Sequence, residues 1–208
     1  MTQYMITQTN LHLRDLNPDP IIQFGDWYHQ AFDNNLLQPN AMSLATADSD
    51  GNLSSRLVLL RTFDRAGFVF FSGYKTKKAQ AIAENPKVAL LFPWLQLNRQ
   101  VRIEGTAVAI SKRESLQFFV TRPRGNQLGA WLTQSSEVIT SRQILQGKMA
   151  ELKRKFRDGR IPLPEKWGGY RVIPQRFEFW QASSDGLHDR FEYRFVNEQM
   201  WETKRLLP

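Results

Sequence analysis

The stretch Ser54 to Gln80, SSRLVLLRTFDRAGFVFFSGYKTKKAQ, carries two apolar runs, Leu57 to Leu60 and Phe68 to Phe71. Between them stands Asp64-Arg65-Ala66-Gly67, whose turn chemistry makes the pair read as a β-hairpin. Cations bracket it: Arg56 and Arg61 on the first strand, Lys75, Lys77 and Lys78 beyond the second. Ser72-Gly73 leads into a helical pattern over residues 76–84, so Lys77 and Lys78 fall in a first helical turn. Cations are disfavoured there unless an anion meets them. Arginines on apolar strands also call for a partner, because a buried unpaired charge is costly. A phosphate resting against the hairpin satisfies all of these groups. Edge-strand arginines with a solvated lysine cluster are the plainer alternative. Strict alternation sets Arg56 and Arg61 on opposite strand faces, which a bulge or a division of roles would reconcile.

Working outward, residues 1–20 are polar, irregular and end in Asn17-Pro18-Asp19-Pro20, which reads as an N-terminal arm rather than core. Ile21 to Asn34 brings Ile22, Trp27, Ala31 and Phe32 near helical spacing. Met42 to Ala47 reads as a strand, and the turn Asp48-Ser49-Asp50-Gly51-Asn52 pairs it with the hairpin. Lys87 to Phe92 is a further strand stopped by Pro93-Trp94, and Arg99 to Ala109 is a long alternating one. Ser111-Lys112-Arg113-Glu114 is a capping box opening a helix. A short helical segment through Trp131 follows Arg122-Pro123-Arg124-Gly125-Asn126-Gln127. A second capping-box spacing, Thr140 to Gln143, starts a helix that runs to about Arg157, whose Lys153 to Arg157 end suits the C-terminal helix dipole. Pro162 and Pro164 form a rigid connector. Strands resume at Tyr170–Val172, Arg176–Gln181, Phe191–Val196 and Met200–Arg205, the last two joined by a hairpin loop at Asn197-Glu198-Gln199. No repeat or linker divides residues 21–208, which read as a single α+β domain. It is mainly β with peripheral helices, its antiparallel strands forming a closed or partly open barrel.

Composition removes several chemistries. Without cysteine there is no disulfide, thiol catalysis or iron–sulfur ligation, and His12, His29 and His188 lie too far apart for a zinc-ligand spacing. Glycine-rich phosphate loops and the serine nucleophile elbow are missing. A net charge of +8 permits a nucleic-acid partner, but a small phosphorylated ligand explains it equally well. No apolar stretch approaches a membrane span, and the N-terminus lacks a signal-peptide layout, so the expected location is cytoplasmic. Three polar-aromatic clusters remain: Arg99-Gln100, Arg122 to Gln127, and Phe179-Trp180-Gln181 with Leu187-His188-Asp189-Arg190. Arginines beside tryptophan and histidine suit a flat anionic ligand. Core packing for Trp180 and a hydrogen-bonded structural role for His188 fit these residues as well.

Taken together, the chain resembles the pyridoxine/pyridoxamine 5'-phosphate oxidase family. The similarity runs in register from about Asp19 to the C-terminus. It includes Arg56 to Leu60, Leu91-Phe92-Pro93-Trp94, Arg99-Gln100-Val101, Arg122-Pro123-Arg124, Gly129-Ala130-Trp131 and Trp167-Gly168-Gly169-Tyr170-Arg171. It continues with Glu178-Phe179-Trp180-Gln181, Leu187 to Phe191 and the closing Arg205-Leu206-Leu207-Pro208. The resemblance implies an FMN-binding split β-barrel, a homodimer with FMN at the subunit interface, and oxidation of pyridoxine or pyridoxamine 5'-phosphate by O2. It implies FMN contacts at Arg56, Leu57, Val58, Leu59, Leu60, Arg61, Phe71, Ser72, Lys77, Lys78, Gln100, Gln134, Ser135, Trp180 and Arg190, with Arg56, Lys77 and Lys78 on the phosphate. For the substrate it implies Arg61, Phe118, Arg122, Asn126, Gly186 and His188, with Arg122 and His188 as the catalytic pair. No metal, nucleic acid or membrane partner is implied. The family usually has Lys at Arg61, Tyr at Phe118, Ser at Asn126 and Arg at Gly186. A split-barrel oxidase acting on another flat anionic substrate, as in phenazine-type biosynthesis, and a non-catalytic flavin or pyridoxal-phosphate binder are the alternatives.

Overall fold

The computed structural model describes residues 10–197 and 200–208; residues 1–9 of the expected arm and 198–199 of the expected last loop lie outside them. The strands are β1 (Ala41–Ala47), β2 (Leu53–Leu59), β3 (Thr62–Asp64), β4 (Gly67–Gly73), β5 (Lys87–Trp94), β6 (Arg99–Ala109), β7 (Trp167–Gln181), β8 (Asp189–Asn197) and β9 (Met200–Arg205). The helices are α1 (Pro20–Asp33), α2 (Lys77–Glu84), α3 (Lys112–Thr121), α4 (Arg124–Leu132) and α5 (Arg142–Lys155). All strand pairs are antiparallel, in the order β2-β1-β5-β6-β7-β4-β3, with β8 on β7 and β9 on β8.

The hairpin expected over residues 57–71 is corrected by this topology. Leu57 lies opposite Ser43 of β1, while Thr62 lies opposite Val69 of β4. The tight Asp48–Asn52 turn hands the whole of β2 to β1, so only three residues are left to pair with β4. Leu60 and Arg61 span the break. The Leu60 N–H donates to the Asn40 carbonyl and the Arg61 N–H to the Val69 carbonyl, both at 2.9 Å. Two ends of one sheet are therefore joined by two residues, and the sheet curls into a split barrel. The same break, rather than a bulge, cancels the alternation that would have put Arg56 and Arg61 on opposite faces.

Strand β7 also differs from expectation, running unbroken through Pro174. Its first half pairs with β4 and its second half with β8. A register shift opposite Glu104/Gly105 absorbs the proline, and a Cβ on Gly105 would lie 2.1 Å from the Ile173 carbonyl oxygen. Strand β5 continues through Pro93-Trp94, because β1 pairs only as far as Leu91 and asks no N–H of Pro93. At α5 the N-cap is Ser141 without a side-chain cap, so the Thr140 capping box does not form, whereas the Ser111–Glu114 box does.

Helix α1 plugs the barrel. Asp19 caps it by accepting the Ile21 N–H, and Pro20 occupies a first-turn position. Its buried face is Ile21, Phe24, Trp27 and Ala31; Ile22 and Phe32, expected inside, face solvent. Phe24 packs edge-on against Phe63, Phe68 and Phe92. Each such buried ring contributes about 1.5–3 kcal/mol. A satellite cluster of Phe119, Leu128, Ala130, Ile161 and Trp167 joins α3, α4 and the proline connector to the start of β7. It forms the floor beside which the candidate site opens. The described part of the arm is tied down, with the Leu11 N–H on Asp189 Oδ2 (2.7 Å) and Tyr193 Oη on the Asn17 carbonyl (2.8 Å). Among the described residues no helix is long and apolar enough to cross a membrane.

Candidate functional site

A cavity of about 480 Å³ opens where β2, β4, the start of α2 and the α3–α4 corner meet. Of the residues expected at a site it gathers Arg56, Leu57, Val58, Leu59, Arg61, Phe71, Ser72, Lys78, Phe118, Arg122 and Ser135. Four are cations, and among the described residues none of Arg56, Arg61, Lys78 and Arg122 has an ion-pair partner. Arg56 is braced by neutral oxygens: Nη1 donates to the Leu44 carbonyl (3.0 Å) and Thr46 Oγ1 (2.9 Å), and Nη2 to Ser54 Oγ (2.5 Å). Lys78 Nζ donates to Ser72 Oγ at 3.3 Å, and Thr76 Oγ1 lies 3.1 Å from the same hydroxyl. Burial pulls the Lys78 pKa down, and the Arg56 charge adds to the effect. Arg122 is likewise lowered, by burial first and then by Arg61, and its Nη1 is buried without a hydrogen-bond partner among the described residues. Four uncompensated cations around one polar cleft call for a multiply charged anion such as a phosphate group.

The remaining expected residues stand elsewhere. Leu60 turns into the core. Lys77 is exposed and gives its backbone N–H to Ser136 Oγ (3.1 Å). The Gln134 amide donates to the Trp131 carbonyl (2.9 Å), and Asn126 is exposed on the first turn of α4. Gln100, Trp180 and Arg190 form a row across β6, β7 and β8, Gln100 opposite Trp180 and Trp180 opposite Arg190. His188 joins them, its ring 5.0 Å from that of Trp180. Its Nδ1 accepts the Ser183 N–H at 3.1 Å, so the neutral ring carries its proton on Nε2. Gly186 sits at φ +78° in the same loop, where a side chain would meet open space but a strained backbone. None of this second group lines the cavity. Trp167 at the cavity and Trp180 in the row lie on one strand, 13 residues apart (180 − 167), a path of about 40 Å at about 3.3 Å per residue.

Two residues with functional bearing escaped the sequence reading of roles. The buried carboxylate of Glu178 accepts from Arg190 Nη2 and Arg102 Nη2, each at 2.9 Å on Oε2, and so fixes Arg190. Trp167 lies under Arg122, its ring centroid 4.8 Å from the guanidinium carbon. Both belong to motifs that carried the resemblance, yet composition and spacing attach no role to a strand glutamate or a strand tryptophan. Among the described residues no group of three histidine, cysteine or acidic side chains could hold a metal.

Comparison with known proteins bears on the same segments. Residues 28–156 match the family described as pyridoxamine 5'-phosphate oxidase, and residues 167–208 match the pyridoxine 5'-phosphate oxidase C-terminal dimerisation region. The chain is 55% identical over 202 residues to a pyridoxine/pyridoxamine 5'-phosphate oxidase of Rippkaea orientalis, covering 97% of this chain and 95% of that protein. It is 49% identical, with the same coverages, to the corresponding protein of Aliarcobacter butzleri. Among solved structures, PhzG from Burkholderia lata, in complex with tetrahydrophenazine-1-carboxylic acid, superposes with a TM-score of 0.88 at 30% identity, covering 95% of this chain and 98% of that one. An FMN-binding protein of Nostoc punctiforme shares the fold, with a TM-score of 0.74 at 14% identity, covering 93% of this chain and 100% of that one. With matches that span nearly its whole length, the chain belongs to the pyridoxamine 5'-phosphate oxidase family.

Proposed function

We propose that the protein is an FMN-dependent oxidase that converts pyridoxine or pyridoxamine 5'-phosphate to pyridoxal 5'-phosphate. The alcohol and O2 give the aldehyde and hydrogen peroxide; the amine, O2 and water give the aldehyde, ammonia and hydrogen peroxide. The observation that carries the reading is the set of four cations without carboxylate partners around one cavity, Arg122 Nη1 buried and unsatisfied among them. Such donors fit a ligand that brings phosphate, and both FMN and the substrate do so. When bound, FMN supplies the two-electron acceptor.

The chain's residues bind and orient. Arg56 and Lys78, with the Ser72 hydroxyl between Lys78 and Thr76, hold the cofactor phosphate. Arg61 and Arg122 hold the substrate phosphate with charge-assisted, fork-shaped donors. Gln100, Trp180 and Arg190 face the flavin, and His188, through Nε2, orients or exchanges the proton at the reacting carbon. Within one chain the cavity lining and the Trp180 row share no residue, and they stand near opposite ends of β7. A homodimer that sets one protomer's cavity against its partner's row supplies the complete site. Largely exposed Leu53 and Leu57 on strand β2 suit burial in such an interface.

Peroxide formation with pyridoxine 5'-phosphate tests the assignment. In Arg122→Gln the KM rises by about 10- to 100-fold, the weight of a charged hydrogen bond. An unchanged KM removes Arg122 from the substrate site. The PhzG likeness makes a different flat anionic substrate the second reading, which full flavin loading without turnover of either vitamer phosphate would favour.

A further inference from the structure

Arg122 is held by a ring rather than by a carboxylate. Its guanidinium carbon lies 4.8 Å from the centroid of Trp167. Trp167 stacks on Phe71 at 5.1 Å and 20°, and Phe71 on Phe118 at 4.0 Å and 20°. Arg61 stands over the Phe118 ring, 5.7 Å from its centroid. Phe118, Phe71 and Trp167 thus line the cavity as near-parallel rings, with Arg61 over the first and Arg122 over the last. The distinction from an ion pair is chemical. A carboxylate under Arg122 would cancel its charge and consume its N–H groups. The negative face of a ring attracts the cation and leaves every donor unused, as the unsatisfied Nη1 shows.

Local structure keeps the ring in place. Trp167 opens β7 opposite Gly73, and Phe119 meets its ring edge-on at 5.7 Å. Gly168 and Gly169 follow, where added Cβ atoms would lie 2.0 Å from Tyr74 Oη and 2.4 Å from Ile110 Cδ1, so the layers beside Trp167 close without slack.

We propose that Trp167 is a positioning residue: it holds Arg122 through a cation–π contact that leaves the guanidinium donors free for the anionic group of the substrate. This rests on the substrate-phosphate reading of the cavity. The test places tryptophan and its mono-, di- and trifluorinated analogues site-specifically at 167 in the full-length, FMN-loaded protein. Fluorine drains the ring face while barely altering its shape. The dissociation constant of 4-deoxypyridoxine 5'-phosphate, which lacks the oxidisable hydroxyl, is measured by calorimetry. It is expected to rise stepwise with fluorination, to about tenfold overall, with an unchanged melting temperature. Arg122→Gln weakens the ligand at once and flattens the series. A flat series while Arg122→Gln still weakens binding overturns the positioning role and leaves the anion site standing. An Arg122→Gln variant that binds as tightly as the parent overturns both.

Discussion

Lys78 offers a perturbation in which stability and cofactor binding move in opposite directions. Its amine is half-buried at the start of α2, makes one hydrogen bond among the described residues, a 3.3 Å contact to Ser72 Oγ, and lies within the field of Arg56. In the cofactor-free protein this charge is a liability. Lys78→Met keeps the apolar stem and removes the charge. The gain is about 0.5–1 kcal/mol, the scale of a solvent-screened charge pair, or about 1–4 °C in a domain of this size. With FMN about a hundredfold above its dissociation constant, the parent gains about 2.7 kcal/mol, or about 5–11 °C. The variant loses a charge-assisted hydrogen bond worth about 1.5–3 kcal/mol, so its affinity falls by about 10- to 100-fold. The same FMN concentration then stabilises it by only about 0.4–1.4 kcal/mol, or about 1–6 °C. Thermal melts of both proteins with and without FMN read both effects. A variant that melts lower without FMN, or shows the parent's full shift with it, refutes the reasoning.

Three further outcomes are expected. Glu178→Gln leaves Arg102 and Arg190, each about a third exposed, on a neutral amide. It lowers stability by about 1–3 kcal/mol in urea denaturation, and an unchanged midpoint would show the carboxylate is dispensable. Gly186 holds φ +78°, so Gly186→Arg and Gly186→Ala both cost about 1–2 kcal/mol of stability. A large rise in turnover of pyridoxine 5'-phosphate in the Arg variant alone would identify a weakened oxidase, and an Ala variant as stable as the parent would show the left-handed turn is not required. Burial, with a smaller push from Tyr74, raises the Tyr170 phenol to about 12. The unfolded chain ionises near 10, so stability is unaffected below about pH 10 and falls between about 10 and 12 as unfolding releases the proton. Tyr170→Phe removes this loss, retaining about 2 kcal/mol more than the parent on going from pH 9 to 11.5; parallel pH profiles would contradict it.

Local features were legible in the chain wherever a residue type has one good use. Ser111 and Glu114 form their capping box, Asp48 to Asn52 turns β1 into β2, and the 99–109 alternation became β6 with the same ends. Pairing across the sheet was not legible. The apolar run Leu57–Leu60 satisfies β1 and β4 equally, and only the curl of the sheet decides that Leu59 and Thr62 part company. Pro174 read as a strand end because its tolerance depends on Gly105 across the ladder, a partner about 70 residues away. At the site, the cations around the 54–80 stretch announced an anion from charge alone. That Arg56 and Arg61 would face one cavity depended on the break at Leu60. The roles of Trp180 and Arg190 as flavin contacts and of His188 at the substrate come through resemblance alone, and within one chain they stand near the end of β7 away from the cavity. The sign of the Gly186 backbone angle, and the hold of Glu178 on Arg190, exist only once β6, β7 and β8 are side by side.

The visible spectrum of the purified protein, followed as pyridoxine 5'-phosphate is added without oxygen, tests the central claim most directly. A yellow protein with a flavin spectrum that bleaches on addition and recovers with air, releasing hydrogen peroxide, is the expected result. A protein that remains colourless after incubation with FMN, or a flavin spectrum that stays oxidised in the presence of either vitamer phosphate, would contradict it.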